Sequence, residues 1–317
     1  MLTMPQQRPA SDKNDRGSRS LPIKVKNGYR RALFWVCSAL HFRRVRVNGV
    51  ALLKMAMHAQ SGGELEVMGM LIGYPRGEEI VVSDCFALPV EGTETRVNAG
   101  EQANTYMVEY VTALREMGRA AGVVGWYHSH PGYGCWLSRI DVETECLYQR
   151  YQDPFVAIVV DPVRTAAAGR VEIGAFRTFP DGFRPSEQLM RKHQIVPMDK
   201  IEDFGAHLDR YYPLEVSCFK SVLDTKMLDV LWHEHWSATL CAVPLRANEG
   251  FVRRQLADLG KRMARVPHDK RVGSEELADA GYRGPLSGCG ALGQKIADER
   301  IASMAHDRMQ KAVFKFT

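Results

Sequence analysis

The chain has 317 residues, 45% of them hydrophobic and 25% charged, and a formal net charge of +5. This composition excludes collagen-like and low-complexity classes and leaves room for one large or two small domains with a sizeable core. Its seven cysteines (Cys37, Cys85, Cys135, Cys146, Cys218, Cys241 and Cys289) form no C-x-x-C pair, and a chain this long needs no disulfide framework, which favours a reducing, intracellular compartment.

Residues 1–20 are polar, with almost no large apolar side chains, and read as disordered. Residues 1–46 carry eleven Lys and Arg against Asp12 and Asp15, a net +9 that leaves the main body mildly acidic at −4. The apolar stretch from Ala32 to His41 is only about ten residues, well under the roughly 20 that span a bilayer, so no membrane helix is expected. An Arg-rich, acid-poor arm can resemble a transit peptide or a nucleic-acid arm. A solvated tail, or a helix packed on the body, is the commoner outcome, so no nucleic-acid partner is expected.

From Val45 the pattern becomes regular. VRVNGV reads as a strand, ALLKMAMHAQ as a helix ended by Ser61, Gly62 and Gly63, and LEVMGMLIGY and EEIVVSDCFALPV as two more strands. Glu66 opens the first of these two: at a strand end it either faces water or, if drawn into the core, needs a partner or a function. Residues 91–101, EGTETRVNAGE, are a polar loop, and a helix is expected from about Gln102 to Arg119.

The next stretch, GVVGWYHSHPGYGCWLSRID (122–141), carries the chemistry. A short apolar strand ends in His128 and His130, which share a face because strand residues two apart do. Pro131 and Gly132 stop the strand, and Ser138 with Asp141 has the Ser-x-x-Asp pattern of a helix start, from which Asp141 can swing in as a third ligand. Two imidazoles and a carboxylate suit zinc, and three protein ligands leave a fourth position open. A His-x-His pair alone is commonly incidental. His233 and His235, inside an expected helix, illustrate this, because helical residues two apart do not face each other.

The helix begun at Ser138 continues through ETECLYQRYQ. FVAIVVDP and RVEIGAFRTF then form two strands joined by a turn around Ala168 and Gly169. The expected fold is α/β or α+β, a mixed sheet flanked by helices that ends near Pro180. KIEDFGAHLDRYY is left open between strand and helix. A long amphipathic helix is expected over 217–240, then a helical tail whose apolar stripes suit either a partner bundle or packing within the chain.

Glu66, His128, His130, Ser138 and Asp141 fall in the pattern E…H-x-H-x7-S-x2-D, which resembles the signature of the JAMM (MPN+) zinc metalloproteases, a highly specific motif. Across about residues 47–240, segments such as ALLKMAMHAQSGGELEVMGMLIG, SDCFALPVEGTETRVNAG and KIEDFGAHLDRYYPLEVSCFKS are similar to the signalosome (CSN) branch of that family, more than to the deubiquitinating proteasome-lid branch. The resemblance implies an MPN domain over 45–240, preceded by a basic arm (1–44) and followed by a helical assembly tail (241–317). It implies that His128, His130 and Asp141 hold one zinc ion, that Glu66 is the general base, and that Ser138 donates to the developing oxyanion. It makes Glu94 and Thr95 the blocking residues of a regulatory loop over residues 91–101. It further implies isopeptidase activity on neddylated cullins and regulation of cullin-RING ligases, within a complex of signalosome subunits that includes an MPN-domain partner, in cytoplasm and nucleus. The basic arm departs from the acidic, helical start usual in the family. Glu145 stands where the family commonly has an amide and is expected to face solvent.

Overall fold

The first strand, β1 (Arg44–Asn48), buries Val45 and Val47 and hands the chain to α1 (Gly49–Ser61) through Asn48. The Asn48 side chain accepts from the Val50 N–H at 2.7 Å, satisfying a donor that the first helical turn would leave orphaned. α1 buries Ala51, Met55 and Ala59, one stripe at a spacing of four. The structure is a computed structural model and describes residues 40–89, 101–118, 122–180, 182–183, 196–200, 202, 207–241, 248–265 and 285–314, all within one compact unit, Ala39–Thr317. The expectations for residues 1–39, for the loop from 91 to 100, and for the joint between the last two helices lie outside the described residues.

After α1 come β2 (Met68–Arg76), β3 (Glu79–Ala87), α2 (Glu101–Glu116), β4 (Gly122–Ser129), α3 (Arg139–Tyr151), β5 (Val156–Asp161), α4 (Pro162–Ala168), β6 (Glu172–Thr178), β7 (Tyr211–Phe219), α5 (Val222–Cys241), α6 (Glu249–Arg265) and α7 (Pro285–Phe314). The sheet is mixed, as expected, with parallel β1/β3, β1/β7 and β4/β5 pairs and antiparallel pairs elsewhere. It also closes: the order β1-β3-β2-β4-β5-β6-β7 returns to β1 as a barrel, which leaves no open edge among the described strands.

Two local expectations change. The turn expected near Ala168 is preceded by a helix, α4. Asp161 caps it by accepting from the Arg164 N–H at 2.9 Å, Pro162 opens it, and Gly169 closes it in the left-handed conformation with φ 67°. Of the undecided segment 200–212, only Tyr211 and Tyr212 belong to a strand, where they open β7, and 201 and 203–206 lie outside the described residues. Because Ser217 to Phe219 pair with β1, the long helix starts at Val222 rather than Ser217.

β4 lies between β2 and β5, and every residue from Val124 to Ser129 is buried. One apolar cluster joins Met68, Met70 and Ile72 of β2, Trp126 of β4, Ala157 and Val159 of β5, and Val142 of α3. α6 and α7 pack within the chain: Lys295 pairs with Glu172 at 2.5 Å, Ser303 Oγ donates to Ala167 O at 3.3 Å, and Asp258 accepts from the Met198 N–H at 2.8 Å. No helix among the described residues is long and apolar enough to cross a membrane.

Candidate metal centre

The alternation of β4 sorts its side chains by face. Trp126 and His128, and His130 one residue beyond the strand, lie on one side, while Tyr127 and Ser129 lie on the other. On the far side, Ser129 ties the neighbouring chain in place: its Oγ accepts from the Val67 N–H at 2.9 Å and its N–H donates to Val67 O at 3.0 Å. This clamp holds Glu66, two residues ahead of β2, beside the end of β4. Met68 is in register with His128.

α3 supplies the third candidate ligand. Ser138 is its N-cap and forms a capping box with Asp141. The Ser138 N–H and Oγ–H donate to Asp141 Oδ2 at 2.8 and 2.7 Å, and the Asp141 N–H donates back to Ser138 Oγ. The same Asp141 Oδ2 lies 3.4 Å from His128 Nε2 and 3.7 Å from His130 Nε2, and the two Nε2 atoms are 3.1 Å apart. Donor atoms about 3.3 Å apart are what a four-coordinate zinc with bonds of about 2.0–2.1 Å requires. His128, His130 and Asp141 thus form a group able to hold a metal ion. His130 donates through Nδ1 to Gly134 O at 3.0 Å, which leaves Nε2 as a lone pair facing the centre. His128 Nδ1 has no partner among the described atoms. Its ring is held instead by stacking on Trp126, with centroids 4.6 Å apart.

His128, His130, Asp141, the Ser138 cap and Glu66 lie close together. Burial pushes the Glu66 carboxyl above its ordinary value, opposed by His130, by the Tyr133 hydroxyl that donates to it, and by Lys200. Burial also acts to raise Asp141, but His128 and His130 outweigh it and hold that carboxyl well below the usual range. His233 and His235 are exposed on α5, where His233 Nδ1 bonds the carbonyl of Asp229 in its own helix. Glu94 and Thr95 lie outside the described residues.

Glu145 corrects an expectation. It is fully buried rather than solvent-facing, and its Oε2 accepts from the Trp126 indole N–H at 3.0 Å. The reason is periodicity: residues four apart on a helix share a face, so a helix that points Asp141 at His128 points Glu145 at Trp126. Burial raises this carboxyl to about 8, in spite of Arg177 nearby and the Trp126 bond. Sequence reasoning also passed over Asp161, which carried a signal only as a carboxylate ending an apolar strand. It is buried and organises the ligand loop, accepting the Gly132 and Gly134 N–H groups at 3.0 and 2.8 Å.

Residues 40–154 match the family described as JAB1/Mov34/MPN/PAD-1 ubiquitin protease. The chain is 51% identical over 256 residues to COP9 signalosome complex subunit 5 of Neurospora crassa, covering 80% of this chain and 75% of that protein. It is 47% identical over 273 residues to subunit 5a of Arabidopsis thaliana (86% and 74% of the two chains) and 53% identical over 229 residues to subunit 5 of Drosophila melanogaster (72% and 70%). With this similarity running through the metal-ligand strand, the capped helix and the surrounding barrel, the chain belongs to the JAB1/Mov34/MPN/PAD-1 family, in the group of the COP9 signalosome subunit 5 proteins.

Proposed function

We propose that this chain is a zinc-dependent isopeptidase that removes the ubiquitin-like neddylation modifier from cullins, as catalytic subunit of a signalosome complex in cytoplasm and nucleus. The observation that carries the reading is the convergence of His128 Nε2, His130 Nε2 and Asp141 Oδ2 beside the buried carboxylate of Glu66. Companion signalosome subunits follow from the names of its relatives, and the cullin-linked substrate and an MPN-domain partner are what the resemblance of its motif and flanking segments to the signalosome branch implies. A bound zinc supplies Lewis acidity, polarising the isopeptide carbonyl and lowering the pKa of water towards neutrality. Glu66 accepts the proton of the attacking water and passes it to the leaving lysine amine. Its burial-raised pKa suits a group that must both take and return a proton. Ser138 turns its hydroxyl from Asp141 Oδ2 towards the developing oxyanion. Ser138→Ala is expected to lower kcat roughly 10²-fold and to cost about 1 kcal/mol in stability for the lost cap, read from cleavage rates and thermal denaturation.

The test uses the assembled complex, offered neddylated cullin and, separately, ubiquitin chains, with and without a chelator. Chelator-sensitive release of the modifier from cullin is the expected result. Cleavage of ubiquitin chains alone would shift the substrate to the proteasome-lid type, and cleavage indifferent to the chelator would remove the metal from the reaction.

A further inference from the structure

Glu66 lies outside regular structure, and the Ser129 clamp fixes its backbone neighbour, not its carboxylate. The side chain itself is met by Tyr133, whose hydroxyl donates to Glu66 Oε1. We propose that Tyr133 is a positioning residue for the general base, holding the Glu66 carboxylate on the line of attack through this hydrogen bond; the proposal rests on the isopeptidase reading above.

Tyr133 is built to be rigid. Its ring lies against His130, with centroids 4.5 Å apart, and edge-on to Trp136 at 6.4 Å, while the Lys200 ammonium stands 5.5 Å from its centroid. Its backbone is flanked by Gly132 and Gly134, with φ of 86° and 91°, a conformation that side chains bearing a Cβ rarely adopt. Both glycine N–H groups are pinned by the buried Asp161 carboxylate, and Gly134 O is pinned by His130. The loop that delivers a metal-ligand histidine therefore also delivers the phenol, so ligand and base are aligned by one scaffold. A free glutamate has several rotamers, and a base displaced by about 1 Å can cost roughly 10²-fold in rate.

The test is Tyr133→Phe in the assembled complex, which keeps the ring against His130, Trp136 and Lys200 and removes only the hydroxyl. The expected result is a kcat on neddylated cullin lowered roughly ten- to hundredfold, with KM, zinc content and Tm unchanged. A substrate-free readout accompanies it in the full chain: the carboxylate stretch of Glu66, isolated as the infrared difference between wild type and Glu66→Gln, is expected to shift in Tyr133→Phe. An unchanged or higher kcat, a loss confined to KM, or a loss that follows departing zinc overturns the proposal, and so does an unshifted carboxylate band. If the wild-type complex leaves neddylated cullin intact, the isopeptidase reading fails, and the infrared band alone then decides whether Tyr133 holds Glu66.

Discussion

Glu66→Gln is expected to keep its zinc and lose its catalysis, whereas His128→Ala loses both. The amide in the first variant has the shape of the carboxylate but cannot take a proton, and positioned acid–base groups contribute about 10² to 10⁴ in rate. Because Glu66 is expected to take and then return a proton, a fall of at least about 10³-fold in cleavage of neddylated cullin is expected. Glu66 is no part of the group formed by His128, His130 and Asp141, so metal content should hold at one ion per chain. His128 contributes one of three protein donors and is buried against Trp126. Its removal leaves two donors, so metal analysis should show an empty site. A rate within tenfold of wild type for Glu66→Gln, or full zinc content in His128→Ala, would sink the mechanism.

The second large effect concerns Glu145 and is read as stability against pH. Its carboxyl has an ordinary value of 4.5 and is raised to about 8 by burial in the folded chain. Between those values the folded protein keeps a proton that the unfolded chain has released. Stability is therefore fullest below the lower value, falls by up to about 1.4 kcal/mol per pH unit as pH rises, and levels off above the upper one. At neutral pH the accumulated cost is on the order of 3 kcal/mol. Glu145→Gln keeps an acceptor for the Trp126 indole and carries no proton to lose, so it should match wild type near pH 5 and melt at a visibly higher temperature near pH 8. Denaturation of the full chain across that range checks it, and parallel profiles for the two proteins would refute it.

The strands were legible where apolar runs met turn residues. β2, β3, β5 and β6 fall where the sequence puts them. The closure of the barrel was not, because the parallel pairing of β1 with β7 joins segments more than 160 residues apart in the chain and leaves no local periodicity to read. The segment near 211 was ambiguous for the same reason, since its strand identity comes from pairing with β6 and β1.

The stretch HSHPGYGCWLSRID by itself determined which candidate ligands come together. Period two in a strand brings His128 and His130 to one face, and a Ser-x-x-Asp cap brings Asp141 to a helix start. Both are short-range rules that need no fold. Only the tertiary structure decided that β2 sits beside β4, so that the Ser129 clamp sets Glu66 near the ligands, and that Tyr133 meets its carboxylate. It likewise decided that α3 packs over β4 with Asp141 above His128 and Glu145 above Trp126. The physical reason is that burial and charge pairing are properties of two surfaces brought together. A helix sequence names the residues that share its face, but only the packing of that face on a strand determines whether a carboxylate there meets a metal site, an indole or water.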